Sequence, residues 1–151
     1  ERTPIHDTYA KGTFFGLNLT HQRSDFYRSI FEGIAYGTNH VFETYKDLKI
    51  LPKNLYSVGG GIKNRLWSQS TSDIIEINQI LRKITFGASY GDAFLSALAC
   101  GDVIKEDINR WNPIESEILS EENKIYKKGY KNFKKLYLNT KDLMKDIDFN
   151  L

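Results

Sequence analysis

The chain has 151 residues, 40% of them hydrophobic and 26% charged, which suits a folded domain and excludes a disordered polar chain. Its 21 basic and 19 acidic residues leave a net charge of +2, too balanced to make nucleic acid the expected partner. The single cysteine, Cys100, excludes an internal disulfide and a cysteine zinc site, and no apolar run approaches the roughly 20 residues that a membrane-crossing helix needs.

Residues 1–12 read as loop, with Pro4, Asp7 and Gly12. Thr13–Leu19 is apolar enough for a short strand, although Gly16 weakens it. Ser24 or Asp25 can cap a long helix that runs to about Lys46. On it Tyr27, Phe31, Ile34, Thr38, Val41 and Tyr45 recur at helical steps and predict one buried face. Leu55–Val58 predicts a second strand, which runs into Gly59, Gly60 and Gly61 and then a helix over Leu66–Ile75. Ile77–Thr85 predicts a third strand, followed by a small-residue helix over Tyr90–Cys100 that Gly101 ends. Residues 105–120 read as connecting structure. A last helix over Glu121–Leu138 carries Tyr126, Tyr130, Phe133 and Tyr137 on one face and most of its lysines on the other. The alternation of strands and helices predicts an α/β fold.

Three segments hold residues with chemical potential. In Val58–Asn64, a strand ends in three glycines and leads into a helix. Glycines let backbone N–H groups approach a ligand closely, and the following helix start favours negative charge. Asn64 adds an amide that donates and accepts, which suits a ribose or an adenine edge. A tight turn with no ligand is the equal alternative. The segment lacks the Lys-Ser/Thr pair of a phosphate-binding P-loop and the GxGxxG spacing of a dinucleotide fold. In Phe86–Ala93, Gly87 and Gly91 bracket the start of a helix, where packing is the plainer reading; Asp92 is expected in its first turn, favoured by the helix dipole and not as a base. In Glu1–Asp7, Arg2, His6 and Asp7 share a polar loop with no second acid, nucleophile or metal ligand beside it. Glu32 is expected to face solvent or to make one structural hydrogen bond, and Cys100 to be a small packing residue. His6, His21 and His40 show no metal-ligand spacing.

In their order along the chain these segments resemble the C-terminal domain of the FGGY carbohydrate kinases, most of all its xylulose kinase subgroup. The resemblance is carried by Glu1-Arg2-Thr3-Pro4, by Lys11–Leu17, by Phe31–Tyr36, by Val58–Asn64 with Trp67-Ser68-Gln69 and Ser72-Asp73-Ile74, by Gly87–Ala93, and by Tyr130–Tyr137. It implies a ribonuclease H-like, actin-like ATPase (ASKHA) fold, of which residues 1–151 are part of the second lobe. The sugar-binding N-terminal lobe, the catalytic aspartate and the opening strands of the second lobe are then outside the chain. That the chain begins at Glu1, with Met144 its sole methionine, fits a piece of a longer protein.

The resemblance also implies ATP and Mg²⁺ as cofactors, with Gly59, Gly60, Gly61 and Asn64 as nucleotide-binding residues and no catalytic residue in this chain. Gly61 stands where some members carry Ala, which the resemblance treats as neutral. Gly91-Asp92-Ala93 departs from the Gly-Ala-Ala of many members, which counts against a direct nucleotide role for that turn. The implied function is phosphorylation of a sugar or polyol hydroxyl, with D-xylulose preferred and the isolated chain inactive. Glycerol, gluconate or fuculose are the alternative substrates, and a non-catalytic ASKHA-like regulatory domain is the rival class. An RNA-binding module using the basic, tyrosine-rich tail ranks last. The expected setting is cytoplasmic, with no nucleic acid or membrane partner, and with a homodimer of the full-length enzyme as an open option.

Overall fold

Helix α1 spans Arg23–Asp47 in the computed structural model, which describes residues 3–147. The Gln22 N–H donates to Asp25 Oδ2 at 2.8 Å. The cap is therefore Gln22 and not Ser24 or Asp25; Asp25 serves from inside the first turn, where the dipole favours an acid. The buried stripe of α1 runs through Ala35 and Phe42, with Phe31 partly covered. It is rotated from the predicted face, because Tyr27, Ile34 and Tyr45 stay exposed.

Strand β1 (Leu55–Ser57), helix α2 (Arg65–Ile75) and strand β2 (Gln79–Arg82) form a βαβ unit with the strands parallel, Tyr56 beside Ile80. Strand β3 (Ile114–Ile118) adds antiparallel to β2, giving the order β1-β2-β3. Sequence reasoning read this last strand as a connection. Of its five residues Ile118 alone is buried, so the alternation that marks a half-buried strand is missing.

The strand predicted at Thr13–Leu19 is not formed: the segment is irregular, and Phe15 (79%) and Leu19 (105%) are exposed. A strand needs a neighbour for its N–H and C=O groups, and none of the described strands pairs with this segment. Gly16, at φ +83°, breaks the extended run as well.

Helix α3 (Gly87–Cys100) starts three residues before Tyr90, which moves Asp92 from the first turn into the second. It ends at Gly101, φ +80°, as expected. Cys100 is exposed, not the buried packing residue expected. The short helix α4 (Ile108–Trp111) follows, with Trp111 edge-on to Phe94 of α3 at 5.3 Å.

Helix α5 spans Lys124–Asp146, capped by Asn123, whose Oδ1 accepts from Ile125 N–H at 2.9 Å. Its aromatics share one face as predicted, and the structure seats that face on α1. Tyr36 meets Phe133 at 5.8 Å and Tyr130 at 6.2 Å, and Gly129 has no side chain where the Tyr36 hydroxyl lies. Tyr126, Ala35 and Ile74 join α5, α1 and α2 in one apolar cluster. Glu32 accepts from Arg28 Nε at 2.7 Å and from the Tyr126 hydroxyl at 3.4 Å, a structural role. Glu43 accepts from the Tyr130 hydroxyl at 2.7 Å and from Lys134 at 2.8 Å.

One buried polar residue ties the sheet to α2. Gln79, 4% exposed, donates to Ser68 O at 2.6 Å and to Ser72 Oγ at 2.9 Å, and its Oε1 accepts from Ser57 Oγ at 2.6 Å. Ser72 Oγ in turn donates to Ile118 O at 3.3 Å. Every buried polar atom here is satisfied, so the network fixes where β1 ends relative to α2.

Candidate functional site: a glycine bend at the ends of two parallel strands

In an open α/β sheet, ligands gather beyond the carboxyl ends of the parallel strands. Two turns lie there in this chain, one after β1 and one after β2. Both belong to segments that sequence reasoning singled out, and the structure brings them together at one atom. The Thr85 carbonyl accepts from Gly59 N–H at 3.1 Å and from Gly87 N–H at 2.9 Å.

The first turn bends at Gly59, whose φ of +92° and ψ of −179° suit a glycine. A 3-10 turn over Gly60–Lys63 follows, with Asn64 as the cap of α2. The three glycines have different reasons to lack a side chain. At Gly59 and Gly60 the missing Cβ leaves open space, with nothing within 4 Å. At Gly61 a Cβ would stand 2.7 Å from Trp67 Cζ3, so this position is closed by the protein itself. The expected neutrality of alanine there therefore fails in this chain, because the Trp67 ring fills the space. Gly59 also donates its N–H to Thr85 O, so that amide is already engaged within the protein.

Asn64 is placed otherwise than an amide free for a ribose would be. Its Oδ1 accepts from Trp67 N–H at 3.1 Å, and its Nδ2 donates to the Tyr27 hydroxyl at 3.0 Å. Lys63 and Arg65 flank it, both exposed, and put positive charge beside the bend. The second turn contributes Phe86, exposed at 78%, and the small exposed residues Gly87, Ala88 and Ser89 at the start of α3. Together these make a shallow surface of glycine backbone, small side chains and one aromatic ring.

Sequence reasoning missed the backing of this surface. Tyr27 stands edge-on to Phe31 at 4.8 Å, and Phe31 lies against Trp67 at 5.5 Å. Helical spacing puts both α1 residues on one face, but that this face of α1 lies behind the glycines is a tertiary fact. Of the third segment, Glu1 and Arg2 fall outside the described residues. Asp7 accepts from the Tyr137 hydroxyl at 2.7 Å, which ties the loop to α5.

The bend itself, Gly59–Asn64, carries no carboxylate or imidazole. Among the described residues no group of three His, Cys, Asp or Glu could hold a metal ion. Three displaced pKa values lie along the packed α1–α5 seam. Burial, then Glu32, pushes Tyr36 up to about 12. Burial and the Glu43 carboxylate raise Tyr130, and hydrogen bonding to Lys134 lowers Glu43. A groove of about 1320 Å³ runs between residues 10–17, α1 and α5, lined by Phe14, Phe26, Ile30, Ile34 and Leu136. Among the described residues no helix is long and apolar enough to cross a membrane.

Comparison with known proteins matches residues 1–100 to the FGGY family of carbohydrate kinases, C-terminal domain. A xylulose kinase of Staphylococcus epidermidis is 30% identical over 157 residues, covering 97% of this chain and 30% of that protein. A glycerol kinase of Staphylococcus haemolyticus is 36% identical over 139 residues, covering 88% of this chain and 27% of that protein. Among solved structures, xylulose kinase from Rhodospirillum rubrum superposes with a TM-score of 0.81 at 25% identity, over 92% of this chain and 29% of that one. The chain thus spans about 30% of the length of the curated relatives it matches.

Proposed function

The chain belongs to the FGGY family of carbohydrate kinases, with the α/β fold of a C-terminal fragment, and from that premise we propose that it is the nucleotide-binding lobe of an ATP-dependent sugar kinase. The single observation that carries this reading is the open glycine bend at Gly59 and Gly60, joined through Thr85 to the turn before α3. Backbone amides and a slot without side chains accept the flat, anionic nucleotide, and Lys63 and Arg65 favour its charge. Gly59, Gly60, Gly61 and Asn64 are the proposed nucleotide residues, in two roles. Gly59 and Gly60 leave the approach clear, and Gly61 and Asn64 hold the bend against Trp67.

ATP, when bound, supplies the γ-phosphoryl group, and Mg²⁺ neutralises charge on its phosphates. The residues of the bend suit the nucleotide, and among the described residues no carboxylate set for the cation is present. Their work is therefore positioning: fixing the nucleoside end of the donor. The group that accepts the sugar's proton belongs, in this reading, to another part of a longer polypeptide. The apolar groove along α1 suits cover by such a part. Residues 1–151 are then one partial domain, and the isolated chain has no kinase activity. A cytoplasmic setting and a homodimer of the full-length enzyme go with this reading as proposals.

D-xylulose is the proposed acceptor, supported by the xylulose kinase relatives across nearly the whole chain. A glycerol-type acceptor is the second reading, favoured by the 36% identity to a glycerol kinase. The test is steady-state kinetics of the natural polypeptide carrying this chain, with ATP and with D-xylulose, glycerol or gluconate. A Cβ at Gly60 meets no atom within 4 Å, so Gly60→Val adds its side chain on the open side of the bend, where it fills the approach. It is expected to raise KM for ATP at least about tenfold, equal to about 1.4 kcal/mol, with KM for the sugar unchanged. Equal effects on both would reduce the bend to a structural turn.

A further inference from the structure

We propose that Tyr27, on α1, is a positioning residue for nucleotide binding, acting through Asn64; this rests on the reading of the glycine bend as the nucleotide site. Asn64 is a junction. Its N–H donates to Gly61 O at 3.0 Å, its carbonyl accepts from Ser68 N–H at 3.0 Å, and its Oδ1 accepts from Trp67 N–H. The Trp67 N–H fixes the amide oxygen toward α2, but an asparagine held at that one atom still rocks within a broad terminal torsion. The bond from Nδ2 to the Tyr27 hydroxyl anchors the other end of the amide to α1 and narrows that rocking.

The contacts close into a ring. Tyr27 packs edge-on to Phe31, Phe31 lies on Trp67, Trp67 fills the space beneath Gly61, and Gly61 bonds Asn64, which returns to Tyr27. In this ring the hydroxyl is the polar link between α1 and the bend. It sits on a side chain 53% exposed, so water can replace it without leaving a buried polar atom unpaired. Its loss therefore releases the bend more than it unfolds the protein. A loosened bend pays its ordering cost when the nucleotide binds, and the affinity falls by that amount.

The test measures ADP binding by calorimetry in the natural polypeptide, for Tyr27→Phe, Asn64→Ser, the double variant and Gly60→Val. Phenylalanine keeps the ring packing and removes the hydroxyl alone; serine keeps the cap and removes the donor. Tyr27→Phe is expected to raise the ADP Kd about fivefold, the scale of one net hydrogen bond, with Tm and sugar affinity unchanged. The double variant is expected to be no weaker than Asn64→Ser alone, since both cut one link. If Tyr27→Phe leaves ADP affinity unchanged while Gly60→Val weakens it, the role of Tyr27 is refuted and the site stands. If neither changes it, the site falls and the role of Tyr27 with it. Additive losses in the double variant, or a fall in Tm with ADP and sugar affinity reduced alike, would likewise overturn the coupling.

Discussion

Gly61→Ala tests whether the bend is packed as described. A Cβ at this position would stand 2.7 Å from Trp67 Cζ3 and 3.2 Å from Cε3 and Cη2. Real Cβ contacts do not come that near, so the indole must withdraw by several tenths of an ångström. It is not free to do so, because its other neighbour is Phe31, with ring centroids 5.5 Å apart, and its backbone N–H is held by Asn64. Overpacking of this kind costs about 1–3 kcal/mol. In a domain of this size each kcal/mol moves Tm by about 2–4 °C. Gly60→Ala, one residue earlier, meets nothing within 4 Å and is expected to change Tm little or to raise it slightly, because alanine narrows the unfolded ensemble. The assay is paired calorimetric melting of the two variants. A second step adds Trp67→Phe to Gly61→Ala, which shortens the ring and is expected to recover part of the loss. Equal Tm values for the two alanine variants, or no recovery by phenylalanine, would show that Trp67 does not fill the space under Gly61.

Gln79→Ala leaves Ser57 Oγ and Ser68 O without their buried partner and is expected to cost about 3 kcal/mol; denaturant unfolding with a loss near zero would refute the network. Stability is also expected to fall as pH drops below 6.5, since burial, assisted by Lys134 and opposed by Glu43, holds His40 below that ordinary value. The unfolded histidine takes up a proton that the folded one resists, so the contribution is whole above pH 6.5 and lost as pH falls through the folded value. His40→Gln should flatten that limb in unfolding curves measured across pH 5–7. Glu43, lowered by Lys134 and then Tyr130, adds stability above its ordinary 4.5 that is lost at more acid pH. Glu43→Gln should remove that loss, and an unchanged acid limb would refute the assignment.

What was legible in the residues was local. The helical steps of α5 gave its aromatic face because residues three and four apart share one side of any helix, whatever it packs against. Gly101 marked the end of α3 because a left-handed residue there costs glycine nothing. The glycines after Val58 marked a bend for the same reason, and it was the order of this segment with the others along nearly the whole chain that carried the family resemblance.

What the residues left open depended on neighbours remote in sequence. Thr13–Leu19 has the composition of a strand, but pairing decides a strand, and no described strand lies beside it. Ile114–Ile118 lacks the composition and is a strand, because β2 offers it an edge. Asn64 reads as an amide for a ligand until Tyr27, 37 residues earlier in the chain, is found to hold it. Gly61 reads as one more open glycine until Trp67 is found beneath it. A side chain's chemistry is written in its own type, whereas whether its donors and its space remain free for a ligand depends on which groups the fold sets against it.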